Sequence, residues 1–388
     1  PSESPSSKSR GQEFQELSTN SRDVVVVGGG IVGCLSGYLL SKRGLKVTVL
    51  EADSLGSHAS GFAFGGLDPL HGVGLPEPLL EFSLWSYGRH RSLSRELQEG
   101  TGIDLHFQTQ DRLYLAFDDA EARAAKADLD WMRGAGGFGV EWLDYEGAKD
   151  LEPLINRDCI GALHQQGSGS VEPYRLVLAA ARAGERVGMN MVQRRATGLE
   201  SAGGRCTGVA VEDGRFDAGA VVLAMGPWAQ QASDWCGVDL PVTPLKGEIL
   251  RLRTDLGPLR VGLNYAGSYA ATKADGLIWA GTTEEDSGFN NNTTSVGRDS
   301  VMENLLKMAP GLWQAELMHQ TACLRPMTPD GMPIVAKLPG WENVFVATGA
   351  GRKGILWSTG MSHILADLVT EGSTEVAGAE FLGLERFQ

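Results

Sequence analysis

Four consecutive valines, Val24–Val27, run directly into Gly28-Gly29-Gly30, and that junction constrains the fold of this 388-residue chain more than any other feature. An unbroken β-branched run is what a strand covered on both faces requires. Gly28, Gly30 and Gly33 complete a GxGxxG pattern, inside which a helical stretch opens from about Ile31 to Arg43. Gly44 ends that helix, and Lys46–Leu50 reads as a second strand. The expectation is a βαβ unit. Gly28 permits its tight turn, Gly30 lets backbone approach a pyrophosphate, and Gly33 lets the helix pack on the strand. The helix N-terminus, at Ile31 and Val32, offers free N–H groups and partial positive charge to phosphates. Glu51 stands 23 residues beyond Gly28, close to the spacing at which an acid meets ribose hydroxyls, and an acid there disfavours a 2′-phosphate.

The glycine signature does not choose between dinucleotides, but its continuation does. A nicotinamide-type fold runs on as βαβαβ. Here the pattern breaks after Glu51 and Ala52 into a Gly- and Ser-rich stretch, Ser57–Gly66. A long insertion follows before another buried strand, Ala220–Ala224, leads into Met225-Gly226-Pro227-Trp228. Near the C-terminus Val344–Thr348 runs into Gly349-Ala350-Gly351 ahead of a helix over about Ile355–Thr370. Between these lie expected helices at Leu79–Gln98, Asp119–Arg133, Tyr174–Ala183 and Val301–Met308. Expected strands fall at Leu113–Phe117, Glu248–Arg253 and Leu277–Gly281. Met191–Val211 reads as two strands joined at Gly203-Gly204.

Composition excludes several functions. A net charge of −14 argues against sequence-independent binding of nucleic acid or anionic membranes. No apolar run approaches the ~20 residues that span a bilayer. Five scattered cysteines without a CxxC pair argue against a disulfide framework or zinc site, and no metal is expected. Residues 1–22 lack the apolar core of a secretory signal and read as a disordered tail. The missing initiator Met implies a trimmed or processed N-terminus. The expected location is the cytoplasm, or an organelle interior if the tail is a targeting remnant.

Six ordered segments, VVVVGGGIVGCLSGYLL with VTVLEAD, HASGFAFGGL, VVLAMGPWA, PLKGEILRLR, CLRPMTPDGMPIV and VFVATGAGRKGI, resemble the family of D-amino acid oxidase, glycine oxidase and sarcosine oxidase, with the glycine oxidase-like branch nearest in character. The resemblance implies an α/β (α+β) protein. A Rossmann-like FAD-binding domain would be assembled from 23–75, 158–240 and 322–388, and an antiparallel-sheet substrate domain from 76–157 and 241–321. FAD is the implied cofactor. Its expected contacts are Gly28, Gly30, Ile31, Val32, Gly33, Glu51, Ala52, Ser60, Gly61, Gly65, Gly66, Ala224, Gly226, Trp228, Gly351, Arg352, Lys353, Gly354 and Ile355. The last turn and helix also suit the negative charge that builds on a reduced flavin.

For substrate, the resemblance points to Arg325, in Cys-Leu-Arg-Pro-Met-Thr-Pro-Asp-Gly, as the group that holds a carboxylate. A guanidinium suits that task because it grips both oxygens in a planar fork. The alternative is a surface arginine in a Pro-rich turn. Tyr269 and Arg352 are further candidates, each against a structural reading. The relatives' histidine is Ala350 here, which weakens transfer of detailed roles. Lys273 is a weaker candidate, and Lys246 reads as structural. Cys323 is either a buried thiol or, as in the sarcosine oxidase branch, a thioether link to flavin. His58, His71 and His319 have no partner implied by spacing, and the implied hydride transfer from an amine needs no obvious base.

The leading expectation is FAD-dependent oxidation of a small amine or amino acid to an imine that hydrolyses, with electrons passing to oxygen or another acceptor. Two alternatives stand beside it: oxidation of a 2-hydroxy acid, which would more often need a base, and a non-catalytic flavin-bound assembly or electron-transfer protein.

Overall fold

The computed structural model describes residues 23–387; the tail expected at 1–22 lies outside them. The valine run pairs on both sides. Asp23–Val27 lies parallel to Lys46–Glu51 and to Ala220–Leu223. Asn190–Gln193 and Val344–Thr348 extend the parallel sheet, and Ile334–Lys337 closes it as an antiparallel sixth strand. Because successive side chains point to opposite faces, one strand feeds two cores. Val24 and Val26 join Val47 and Val49 beneath the helices Ile31–Lys42, Pro173–Arg186 and Gly354–Thr370. Val25 and Val27 join Leu50, Val221 and Leu223 beneath a meander of Ala196–Ala202, Arg205–Val211 and Gly214–Asp217. The meander's first hairpin turns at Gly203-Gly204. Both residues take positive φ, 60° and 80°, as a two-residue turn of this hand requires.

The second unit is an eight-stranded sheet in the order Glu316–Met327, Thr243–Arg253, Ile278–Gly281, Ser268–Thr272, Gly262–Tyr265, Arg112–Ala116, Gly161–Gln165 and Val140–Asp144. It is antiparallel except where Gly262–Tyr265 meets Arg112–Ala116 in parallel. That pair joins two chain segments far apart in sequence, so no hairpin dictates its direction.

Three expected borders are displaced. Gly161–Gln165 belongs to the eight-stranded sheet, so that unit extends past 157. Glu316–Met327 pairs with Thr243–Arg253 along its length, so the return to the first unit comes after Met327 rather than at 322. The helix Leu80–Thr101, inside the expected substrate segment, packs Phe82, Leu93 and Leu97 into the first core. A fully buried strand has the same hydropathy in either sheet, so pattern alone does not assign it. The expected helix Asp119–Arg133 is two helices, Asp119–Ala127 and Leu129–Gly134, broken at Asp128, whose carboxylate takes the Trp131 indole N–H. No described helix is long and apolar enough to cross a membrane.

Candidate active site

A cavity of about 590 Å³ runs from the C-terminal ends of the parallel strands to one face of the eight-stranded sheet. Ligands of open α/β sheets bind at such strand ends. At its first end the glycine turn is fixed by sterics. Gly28 has φ 112°, and a Cβ there would lie 2.2 Å from the Ala224 carbonyl oxygen. A Cβ on Gly33 would lie 1.9 Å from the Gly28 oxygen. Gly30 faces Ser60 across the cavity wall, and the Ile31 N–H donates to Ser60 Oγ at 3.0 Å. Glu51 accepts from the Gly29 N–H at 2.7 Å and from the Asp53 N–H at 2.8 Å, so its carboxylate is held at the turn. The helix that begins at Ile31 carries no acid in its own first turn.

Every expected cofactor position lines this cavity except Gly33 and Gly61. Those two act one layer back. A Cβ on Gly61 would meet the Gly56 oxygen at 1.9 Å, so the residue permits close packing rather than ligand approach. Gly65 needs its positive φ of 80° beside the Val171 oxygen. Trp228 is sandwiched between His58, 4.6 Å between ring centroids, and Phe289, 5.8 Å. Arg194 and Arg195 also line this end, where Arg195 lies 3.4 Å from Asp53 and Arg194 3.3 Å from Asp213. The signal for them was an arginine pair directly after the strand Asn190–Gln193.

At the other end, Arg325 Nη1 donates to the Thr283 oxygen at 3.2 Å and Nη2 to Thr282 Oγ1 at 2.5 Å. Tyr269 packs at a tilt against Phe64 with centroids 4.2 Å apart, and burial pushes its phenol up to about 12, so it stays a neutral donor. Cys323 lines the wall between them; burial raises its thiol, with Arg325 acting in the opposite direction. Arg352 reaches the cavity edge but is paired in bidentate fashion with Glu284. Lys246 is buried between Glu248 and Glu285, 3.0 Å from each. Lys273 donates to Ser170 Oγ and the Val171 oxygen, and burial lowers its amine to about 8.

One cluster was not assembled from the sequence. Asp68 is buried and accepts from the Tyr114 hydroxyl, from Gln165 Nε2 at 2.9 Å and from the Leu70 N–H at 3.1 Å. His71 Nδ1 lies 3.2 Å from its carboxylate, and Lys353 Nζ donates to its backbone oxygen at 2.9 Å. Burial would raise the Asp68 carboxyl, but His71, Lys353 and Arg112 hold it well below the usual carboxylate range. The three-residue spacing Asp68–His71 was the available signal; the tyrosine comes from a distant strand. His58 pairs with Asp53 at 2.8 Å, while His319 is exposed and does not line the cavity.

A glycine turn at the ends of parallel strands, an acid held beside it and a cavity closed by a second sheet define a two-unit dinucleotide-dependent oxidoreductase. The residues fit a flavin dinucleotide: Gly28 and Gly30 line the cavity without side chains, and Glu51 is held at the turn. The chain belongs to the family described as FAD dependent oxidoreductase, whose model matches residues 23–368. It is 31% identical over 368 residues to a glycine oxidase of Geobacillus kaustophilus, covering 94% of this chain and 97% of that protein. A Pseudomonas putida glycine oxidase is 29% identical, covering 90% and 95%. The crystal structure of glycine oxidase from Geobacillus kaustophilus superposes with a TM-score of 0.88 at 30% identity, covering 94% of this chain and 99% of that one. The chain binds FAD and is an FAD-dependent amine or amino acid oxidoreductase.

Proposed function

We propose that the substrate is a small α-amino acid of the glycine class, held by its carboxylate on Arg325. One observation carries this reading: a guanidinium lining the cavity at its far end from the glycine turn, anchored on one edge by Thr282 and Thr283. A bidentate grip on a carboxylate orients the substrate as well as binding it. The neutral Tyr269 hydroxyl lines the same space and adds a second donor. Phe64 and Ile249 line the wall and keep water from it. FAD, when bound, supplies the acceptor for the hydride that leaves the substrate's α-carbon. The chain's own contribution is to fix that carbon's position; the imine then hydrolyses.

The glycine oxidases among the relatives support this substrate class and support oxygen as the electron acceptor. Five buried free cysteines fit a reducing compartment such as the cytoplasm. The test is the visible spectrum under anaerobic conditions, during titration with glycine, sarcosine, D- and L-amino acids, simple amines and 2-hydroxy acids. Bleaching by glycine or sarcosine is expected. Bleaching by 2-hydroxy acids alone would overturn the reading.

A further inference from the structure

Tyr114, Asn264 and Tyr269 stand directly opposite one another on three adjacent strands of the eight-stranded sheet. Residues so paired point to the same face, and all three line the cavity. Strands lie ~4.8 Å apart, which puts about 10 Å between the backbones of Tyr114 and Tyr269. The row therefore has the proposed carboxylate end at Tyr269 and a second polar end at Tyr114. Midway between them the Asn264 amide nitrogen is buried without a hydrogen-bond partner among the described residues.

The Tyr114 end carries an ordered imidazole. The His71 ring stacks on Tyr114 with centroids 3.6 Å apart and planes 12° apart. Its Nδ1 is buried 3.2 Å from Asp68 Oδ2, an electrostatic contact without hydrogen-bond alignment. Asp68 is itself immobilised by Tyr114, Gln165 and the Leu70 N–H. An imidazole whose Nδ1 faces a carboxylate turns its Nε2 outward. The side chain is 26% exposed, and the residue lines the cavity, so Nε2 is the accessible nitrogen. The titratable groups against the ring are Asp68 on its own loop and Tyr114 on the strand Arg112–Ala116, and Arg112, Lys353 and Tyr87 are coupled to Asp68 behind it.

We infer that His71, oriented by Asp68, accepts the proton that the substrate's ammonium group loses before oxidation. The inference rests on the amino-acid reading above. An amino acid arrives as the zwitterion, and its ammonium nitrogen has no lone pair to support loss of hydride from the neighbouring carbon. Transfer converts R–NH₃⁺ and neutral imidazole into R–NH₂ and imidazolium; no electrons move. The proton passes to solvent when product leaves. The transfer runs through bridging water.

The test compares the FAD-loaded wild type with His71→Asn and His71→Gln. Anaerobic bleaching rates with glycine and with sarcosine are measured from about pH 6 to pH 10. Both variants should keep their flavin spectrum. Near pH 7 they should reduce about 100-fold more slowly, and the deficit should close as the free amine deprotonates by itself. A deficit equal at all pH values, or a pH-independent rise in KM with kcat intact, would overturn the inference by making His71 a substrate contact only.

If no amine bleaches even the wild type, the amino-acid reading falls first and takes this inference with it.

Discussion

The guanidinium of Arg325 lies against the α-carbon of Gly247, two residues along the partner strand from Leu245, its own register mate. A Cβ on Gly247 would come within 2.2 Å of both terminal nitrogens. Gly247→Ala therefore pushes the guanidinium away from Thr282 and Thr283 without altering any charge. A displacement of this size at a positioning group costs up to ~100-fold in kcat/KM. The expected result is a kcat/KM for glycine or sarcosine lowered about 10- to 100-fold, with the flavin spectrum unchanged. Arg325→Lys should lose a comparable amount, because an ammonium cannot reproduce the planar fork. Steady-state kinetics check both, and an unchanged KM in both variants would remove Arg325 from the carboxylate site.

The three fingerprint glycines should fail in different ways. At Gly28 and Gly33 an added Cβ meets backbone oxygen that cannot move aside, so alanine at either strains the strand–helix junction itself. At Gly30 the nearest atom is Ser60 Oγ, 3.1 Å from a built Cβ. Gly30→Val should consequently fold but leave no room for a pyrophosphate. Circular dichroism melts together with the flavin-to-protein absorbance ratio separate the outcomes. Gly28→Ala and Gly33→Ala lose melting temperature, whereas Gly30→Val loses flavin with its melting curve close to that of flavin-free wild type. A flavin-loaded Gly30→Val protein would contradict the fingerprint assignment.

Much of this architecture is legible in the sequence because backbone geometry forces it. A four-valine run, glycines at fixed offsets and Glu51 have little meaning apart from a dinucleotide turn. The same holds for Gly203-Gly204, where two positive φ angles leave few alternatives. Illegible were the borders at 157 and 322, because Gly161–Gln165 is a buried strand and the end of Glu316–Met327 a half-buried one, and both suit either sheet. Illegible too was the Asp68–His71–Tyr114 cluster. Its tyrosine lies 43 residues beyond His71 and arrives only through strand pairing. Arg352 carried a family motif, yet its partner Glu284 sits in a loop with no local signature.

That pairing makes a prediction about Arg352 itself. Its guanidinium is committed to Glu284, and both side chains remain partly exposed, at 52% and 39%. Ion pairs so exposed contribute about 0.2–1 kcal/mol. Arg352→Ala should thus change kcat/KM by less than about 5-fold, far less than Arg325→Ala, and Glu284→Gln should reproduce its effect. A double-mutant cycle on the two residues checks the coupling. A loss in Arg352→Ala as large as that in Arg325→Ala would place Arg352 on substrate or cofactor rather than on Glu284.

Acid should loosen the scaffold behind the cavity through His90. This residue is fully buried on the helix Leu80–Thr101, and its Nε2 lies 2.8 Å from the Ile355 oxygen and 3.0 Å from the Leu356 oxygen. It thereby ties that helix to the first turn of Gly354–Thr370, which lines the cavity at Gly354 and Ile355. Burial lowers the imidazole from 6.5 to about 4, although the two carbonyl contacts pull upward. The folded protein therefore binds fewer protons than the unfolded chain between those values. Stability is unaffected above about pH 6.5 and falls as the pH drops toward about 4, by up to about 3 kcal/mol from this one group. His90→Gln keeps an N–H donor but cannot titrate. Urea unfolding at pH 7, 5.5 and 4 should show the wild type losing stability more steeply than His90→Gln, with the two curves converging as the pH falls. Parallel loss in both proteins would assign the acid sensitivity to other groups.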